Sequence, residues 1–186
     1  MGGTGKFGRA LAARLCETDD VVIGSRDLER ARETAAELGV EGAANDDAVR
    51  GADLVVLAAK ATTALETARG LRDAIGETPV LSVASDLKVH ERSLAEQIAD
   101  ELDAPVAAGL HTIASATVGS DQDALVCGDD EGAKTLALEL AGRVVSGRAF
   151  DAGPLEIARA LEGLTGVIVE LNKRYRAHAG IRLTGL

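Results

Sequence analysis

A glycine-rich loop opens the chain and constrains everything after it. Met1-Gly2-Gly3-Thr4-Gly5-Lys6-Phe7-Gly8 contains the spacing G-x-G-x-x-G at Gly3, Gly5 and Gly8. That spacing belongs to the turn between a buried strand and a helix. The first glycine permits the tight turn and the second lets backbone approach a pyrophosphate. The third lets helix and strand pack closely. A diphosphate then rests on the free N–H groups of the helix N-terminus, where the helix dipole favours an anion. A helical pattern does follow, with Phe7, Leu11 and Leu15 at i, i+4 and i+8. Met1, however, stands where the strand belongs. In a doubly wound sheet of order 3-2-1-4 that strand is central. The pattern therefore predicts an apolar strand of about five residues ahead of Met1, because two inner strand edges would otherwise face each other unpaired.

The remaining sequence alternates apolar runs with helical patterns. Strands are expected at Val21–Ile23, Leu54–Ala58, Pro79–Val83, Val106–Ala108, Ala124–Cys127 and Arg148–Phe150. Helices are expected from Asp27, an N-cap, to about Gly39, then at Thr63–Ile75, Ser93–Leu102 and Glu131–Val144. A last helix starts near Pro154, a favourable first-turn residue. Its stripe of Leu161, Leu164, Ile168, Leu171 and Tyr175 suits either its own sheet or a partner subunit. Strand–helix alternation with continuous apolar strands defines the fold class: α/β, a Rossmann-like doubly wound parallel sheet with a small C-terminal α/β extension. The softest boundary, Val118–Asp123, divides residues 1–120, a dinucleotide-binding unit, from residues 121–186.

Composition narrows the partners. Hydrophobic residues make up 46% and aromatics 2%, so a core must be built from Ala, Val, Leu and Ile. The net charge of -10 argues against nucleic acid, which needs a basic face. No apolar run approaches the roughly 18 residues of a membrane span, and no signal peptide is visible, so a cytoplasmic protein is expected. Cys16 and Cys127 have no metal-ligand or redox spacing and read as buried small residues. Asp129-Asp130 reads as a helix cap rather than a metal site. No metal is expected.

The position after the Val21–Ile23 strand discriminates between cofactors. An NAD site places a carboxylate there for the ribose 2′-hydroxyl. This chain has Gly24-Ser25-Arg26, with Arg30 one helical turn on. A hydroxyl and two guanidinium groups suit a 2′-phosphate, so NADP is expected over NAD.

Beyond these residues the chain resembles a known family. Gly2-Gly3-Thr4-Gly5, Gly24-Ser25-Arg26, Leu110-His111-Thr112-Ile113, Val126-Cys127-Gly128-Asp129-Asp130, Asp151-Ala152-Gly153-Pro154-Leu155 and His178-Ala179-Gly180-Ile181 occur in the order seen in the NADPH-dependent F420 reductases, also called F420H2:NADP oxidoreductases. The resemblance implies an oxidoreductase moving a hydride between the nicotinamide of NADP and the deazaflavin of coenzyme F420. It implies that Gly3, Thr4, Gly5, Lys6 and Phe7 hold the diphosphate, and that Ser25, Arg26 and Arg30 hold the 2′-phosphate. Ala59, Ala84 and Ser115 would line the nicotinamide side, and His111, Thr112 and Ile113 would border the F420 ring. Residues 121–186 would complete the F420 pocket and a homodimer contact. Such a transfer needs two stacked rings rather than acid–base chemistry, so no catalytic residue is named. Two other readings fit the residues: a non-catalytic NADP-binding or redox-sensing domain, and an NADP-dependent reductase of another small substrate, such as an imine or ketone. His111 reads equally as a buried structural histidine, Lys60 as a cleft or a solvated lysine, and His90 and His178 as surface residues.

Overall fold

A computed structural model describes residues 1–88 and 91–186 of the chain. His90 lies outside the described residues. In chain order the elements are helix α1 (Lys6–Leu15), strand β1 (Val22–Ser25), α2 (Leu28–Leu38), β2 (Glu41–Ala44), α3 (Asn45–Val49) and β3 (Val55–Leu57). Then come α4 (Ala61–Gly70), α5 (Arg72–Ile75), β4 (Val80–Ser82), α6 (Leu94–Glu101), β5 (Val106–Gly109), β6 (Ala124–Gly128), α7 (Glu131–Val144), β7 (Ala149–Asp151) and α8 (Ala158–Tyr175).

β1 and β2 pair in parallel, and β3-β4-β5-β6-β7 form a second sheet. Residues Met1–Gly3 lie between the two. Met1 N donates to Val56 O at 2.7 Å and Ala58 N donates to Met1 O at 2.8 Å, on the β3 side. Gly3 N donates to Gly24 O at 3.4 Å, on the β1 side. The spatial order β2-β1-(1–3)-β3-β4-β5 is thus the doubly wound order 3-2-1-4-5-6, with three residues at its centre.

Helices cover both faces. Leu11, Leu15, Leu81, Leu110, Val126, Leu140 and Val144 form a core with α1 and α7 on one side. Leu57, Ala64, Ile75, Val80 and Ile98 form a second core under α4, α5 and α6 on the other. Val80 and Leu81 fall in different cores because successive strand side chains point to opposite faces. No helix among the described residues is long and apolar enough to cross a membrane.

The sheet is not parallel throughout: β6 runs antiparallel to β5. A parallel return needs a crossover, usually a helix. Between Gly109 and Ala124 the chain forms only a 3-10 turn, Ser115–Thr117, so it re-enters the sheet from the end it left. The sequence pattern also misses β2, whose Glu41-Gly42-Ala43-Ala44 has no apolar alternation. The helix expected over 63–75 is two helices, broken at Leu71 after Gly70. Pro154 precedes rather than starts the last helix, which opens through a 3-10 turn at Leu155–Ile157.

Candidate functional site

The N-terminus of α1 is built to receive an anion. A Cβ on Gly8 would lie 2.6 Å from Gly2 O, so only glycine lets α1 approach the loop this closely. The tight turn falls on Gly2, at φ +72°, rather than on Gly3, which packs against Ile23. No side chain caps α1, so the N–H groups of Lys6, Phe7 and Gly8 lack intrahelical partners. Its first turn has no acidic residue. By contrast, α2, α6 and α7 are capped by Asp27, Ser93 and Asp130 and each has a carboxylate in the first turn. Thr4 is half-buried and Lys6 exposed. Phe7 offers only its backbone, because its ring packs into the core.

At the end of β1, Ser25 is buried and its Oγ accepts from Asp27 N at 3.2 Å, leaving its own proton free to donate. Asp27, not Ser25, caps α2, accepting from Arg30 N at 3.3 Å. Arg26 and Arg30 are exposed, and neither guanidinium has a carboxylate partner among the described residues. Arg9, Arg14, Arg32, Arg50, Arg69 and Arg72 all do. Ser25 and Arg26 line a cleft of about 350 Å³ with Asn45 and Thr67. Asn45 is a residue the sequence pattern did not single out. It is 8% exposed, and its Oδ1 has no partner among the described residues. It opens α3 directly after β2, and β2 itself gives no sequence signal.

The other expected residues stand at the ends of neighbouring strands. Ala59 follows β3 and borders Gly2, Ala84 follows β4, and His111 and Thr112 follow β5, with Ser115 opening the 3-10 turn. Together with β1 these are C-terminal ends of parallel strands, where open α/β sheets bind ligands. Ile113 is 6% exposed and packs in the cluster with Leu11 and Leu110. His111 is 6% exposed, and burial pushes its pKa down to about 4, so the ring is neutral at pH 7. Its Nδ1 lies 3.0 Å from Ser85 Oγ, which lies 2.9 Å from Thr165 Oγ1 on α8. Ser85 and Thr165 escaped the sequence reading.

Glu162, one turn earlier on α8, is 3% exposed. It accepts from Ala95 N at 3.1 Å, Leu94 N at 3.2 Å and Asp86 N at 3.3 Å. Burial raises its pKa, and the free N–H groups of α6 offset that cost. Through it, α8 is tied to the segment after β4 that carries Ser85. The Asp129 carboxylate accepts from Leu155 N and Asp130 from Ala133 N. Lys60 is exposed at the N-cap of α4, and His178 is exposed. Cys127 is fully buried, and burial drives its thiol up to about 12. Cys16 is only half-buried at the end of α1, not the core residue expected.

This sheet order, with a glycine-tight helix N-terminus at its centre and ligand-side residues at successive strand ends, defines a Rossmann-type dinucleotide-binding protein. Residues 1–86 match the family model described as NADP oxidoreductase, coenzyme F420-dependent. The chain is 31% identical to an F420-dependent NADP reductase of Methanocaldococcus jannaschii, over all of this chain and 97% of that protein. It is 33% identical to the enzyme of that name from Methanothermobacter thermautotrophicus, over all of this chain and 94% of that one. A crystal structure from Arthrobacter sp. FB24, provisionally described as an F420-dependent NADP reductase, has the same fold. Its TM-score is 0.86 at 23% identity, covering 97% of this chain and 96% of that one. The chain belongs to the family of F420-dependent NADP reductases.

Proposed function

We propose that this protein is an oxidoreductase transferring a hydride between NADP(H) and the deazaflavin coenzyme F420. One observation carries the reading: an uncapped, glycine-tight helix N-terminus stands beside two arginines at the end of β1 that have no carboxylate partner among the described residues, in a chain of this family. The N–H groups of Lys6 and Phe7, with Gly3, Thr4 and Gly5 alongside, hold the diphosphate. Ser25, Arg26 and Arg30 hold the 2′-phosphate. Ala59, Ala84 and Ser115 line the nicotinamide, and His111, Thr112 and Ile113 border the F420 ring.

When bound, the two cofactors supply the hydride chemistry. The protein stacks their rings and excludes water. Residues 1–120 hold NADP, and residues 121–186 complete the F420 pocket. The protein acts in the cytoplasm as a homodimer. Val167, Leu171 and Tyr175 lie along one exposed face of α8, at 53%, 38% and 69% exposure, while Ile168 is buried and Leu161 packs with Ala108 and Cys127 of the protein's own sheet. The stripe thus divides between an internal face and a subunit face. Mixing protein, NADPH and F420 should bleach the nicotinamide and deazaflavin absorbances together, one for one. NADPH binding without F420-dependent oxidation would overturn the reading.

A further inference from the structure

The hydrogen bonds around His111 have a fixed direction. Thr165 Oγ1 lies 2.7 Å from the carbonyl oxygen of His111. A carbonyl only accepts, so the single Thr165 proton is committed there. Thr165 Oγ1 also lies 2.9 Å from Ser85 Oγ, so in that contact Ser85 donates. Ser85 Oγ lies 3.0 Å from His111 Nδ1. With its only proton on Thr165, Ser85 must accept here, and Nδ1 must carry the hydrogen. The ring is neutral at pH 7, so Nε2 is a bare lone pair. That atom is buried and has no partner among the described residues. A buried acceptor in this state calls for a donor.

We propose that His111 Nε2 accepts a hydrogen bond from an amide or imide N–H of a bound cofactor ring, and that Ser85 and Thr165 are positioning residues that lock the accepting tautomer. The proposal rests on reading the site as an NADP–F420 pocket. Two groups carry the required chemistry: the nicotinamide carboxamide, and the imide N–H of the deazaflavin pyrimidinedione. The locked tautomer admits such a donor edge and repels a carbonyl edge turned toward it. It therefore sets which way round the ring enters.

Histidine ¹⁵N NMR on the intact protein tests this, with only three histidines to assign. The free protein should show His111 with a pyrrole-like Nδ1 and a pyridine-like Nε2. Saturating NADP⁺ alone or F420 alone should move the Nε2 resonance upfield while Nδ1 stays protonated, and the ligand that does so is the donor. Thr165→Val frees the Ser85 proton to turn onto Nδ1. The ring should then shift toward the Nε2–H tautomer, and that ligand should bind about tenfold more weakly. Thr165→Ser keeps the hydroxyl and should restore both. An Nε2–H tautomer in the wild-type protein overturns the proposal. So does an unmoved Nε2 resonance when calorimetry shows both cofactors bound. Calorimetric failure of both cofactors to bind would instead overturn the functional reading beneath it.

Discussion

Arg26 and Arg30 are the residues on which cofactor choice turns. Neither guanidinium is ion-paired to a carboxylate among the described residues, although Asp46 and Glu66 line the cleft beside Arg26. A charge-assisted hydrogen bond contributes about 1.5–3 kcal/mol, so Arg26→Ala should weaken NADPH binding by roughly 10- to 100-fold. NADH, which lacks the 2′-phosphate, should be little affected. Calorimetry with both cofactors checks this, and an equal loss for both would remove Arg26 from the phosphate site. His111 carries a pH signature. Burial lowers its pKa from 6.5 to about 4 in the folded state. Between those values the unfolded chain binds the extra proton, so stability is full above pH 6.5 and falls as pH drops toward 4. The loss should be about 3 kcal/mol, and His111→Gln should flatten that part of a urea-unfolding pH profile. Ser25, Arg26 and Arg30 were legible because strand end, hydroxyl and cations lie within six residues. The chain joining Ser85 to Thr165 spans 80 positions and has no local signal.

At the scale of elements, the C-terminal tail is anchored on a buried carboxylate, beside Arg148, which donates to Leu183 O and Leu186 O, and the Asp123 N–H, which donates to Ile181 O. Asp123 is fully buried and accepts from Leu183 N at 2.7 Å, Arg148 N at 3.0 Å and Arg148 Nη2 at 3.2 Å. These donors, the Leu183 N–H first, lower its pKa from 3.8 to about 2. The contribution is present above pH 3.8 and disappears as pH falls through 2. Asp123→Asn should release residues 181–186 at neutral pH, seen as rapid amide exchange at Leu183. Unchanged protection there would show that the tail is held by other contacts. Strands with continuous apolar runs, such as Val55–Leu57, announced themselves, and α7 falls at the expected Glu131–Val144. β2 did not, because a Cβ at Gly42 would lie 2.6 Å from Ala31 O and small residues are what the packing of α2 demands. The antiparallel sense of β6 was hidden as well. Direction depends on whether the connection crosses the sheet, and apolar content carries no record of that.

For the whole molecule, alternation of strands and helices was enough to place a doubly wound sheet with its glycine loop at the centre. The three residues Met1–Gly3 at that central position bridge β1 and β3. They also bring the loop to the C-terminal ends of β1, β3, β4 and β5 together. Assembly is a property of the same scale. Leu171→Glu places a charge on the exposed face of α8 and should convert a dimer to a monomer in light scattering, with the fold retained. A wild-type protein that is already monomeric at micromolar concentration would contradict the homodimer. The most direct test of the function follows the hydride itself. With NADPH deuterated at the transferring C4 position, the protein should deliver deuterium to C5 of reduced F420, detectable by mass spectrometry and NMR. Deuterium retained in the nicotinamide while F420 stays oxidised, or F420H2 formed with hydrogen from solvent at C5, would contradict direct transfer between the two cofactors.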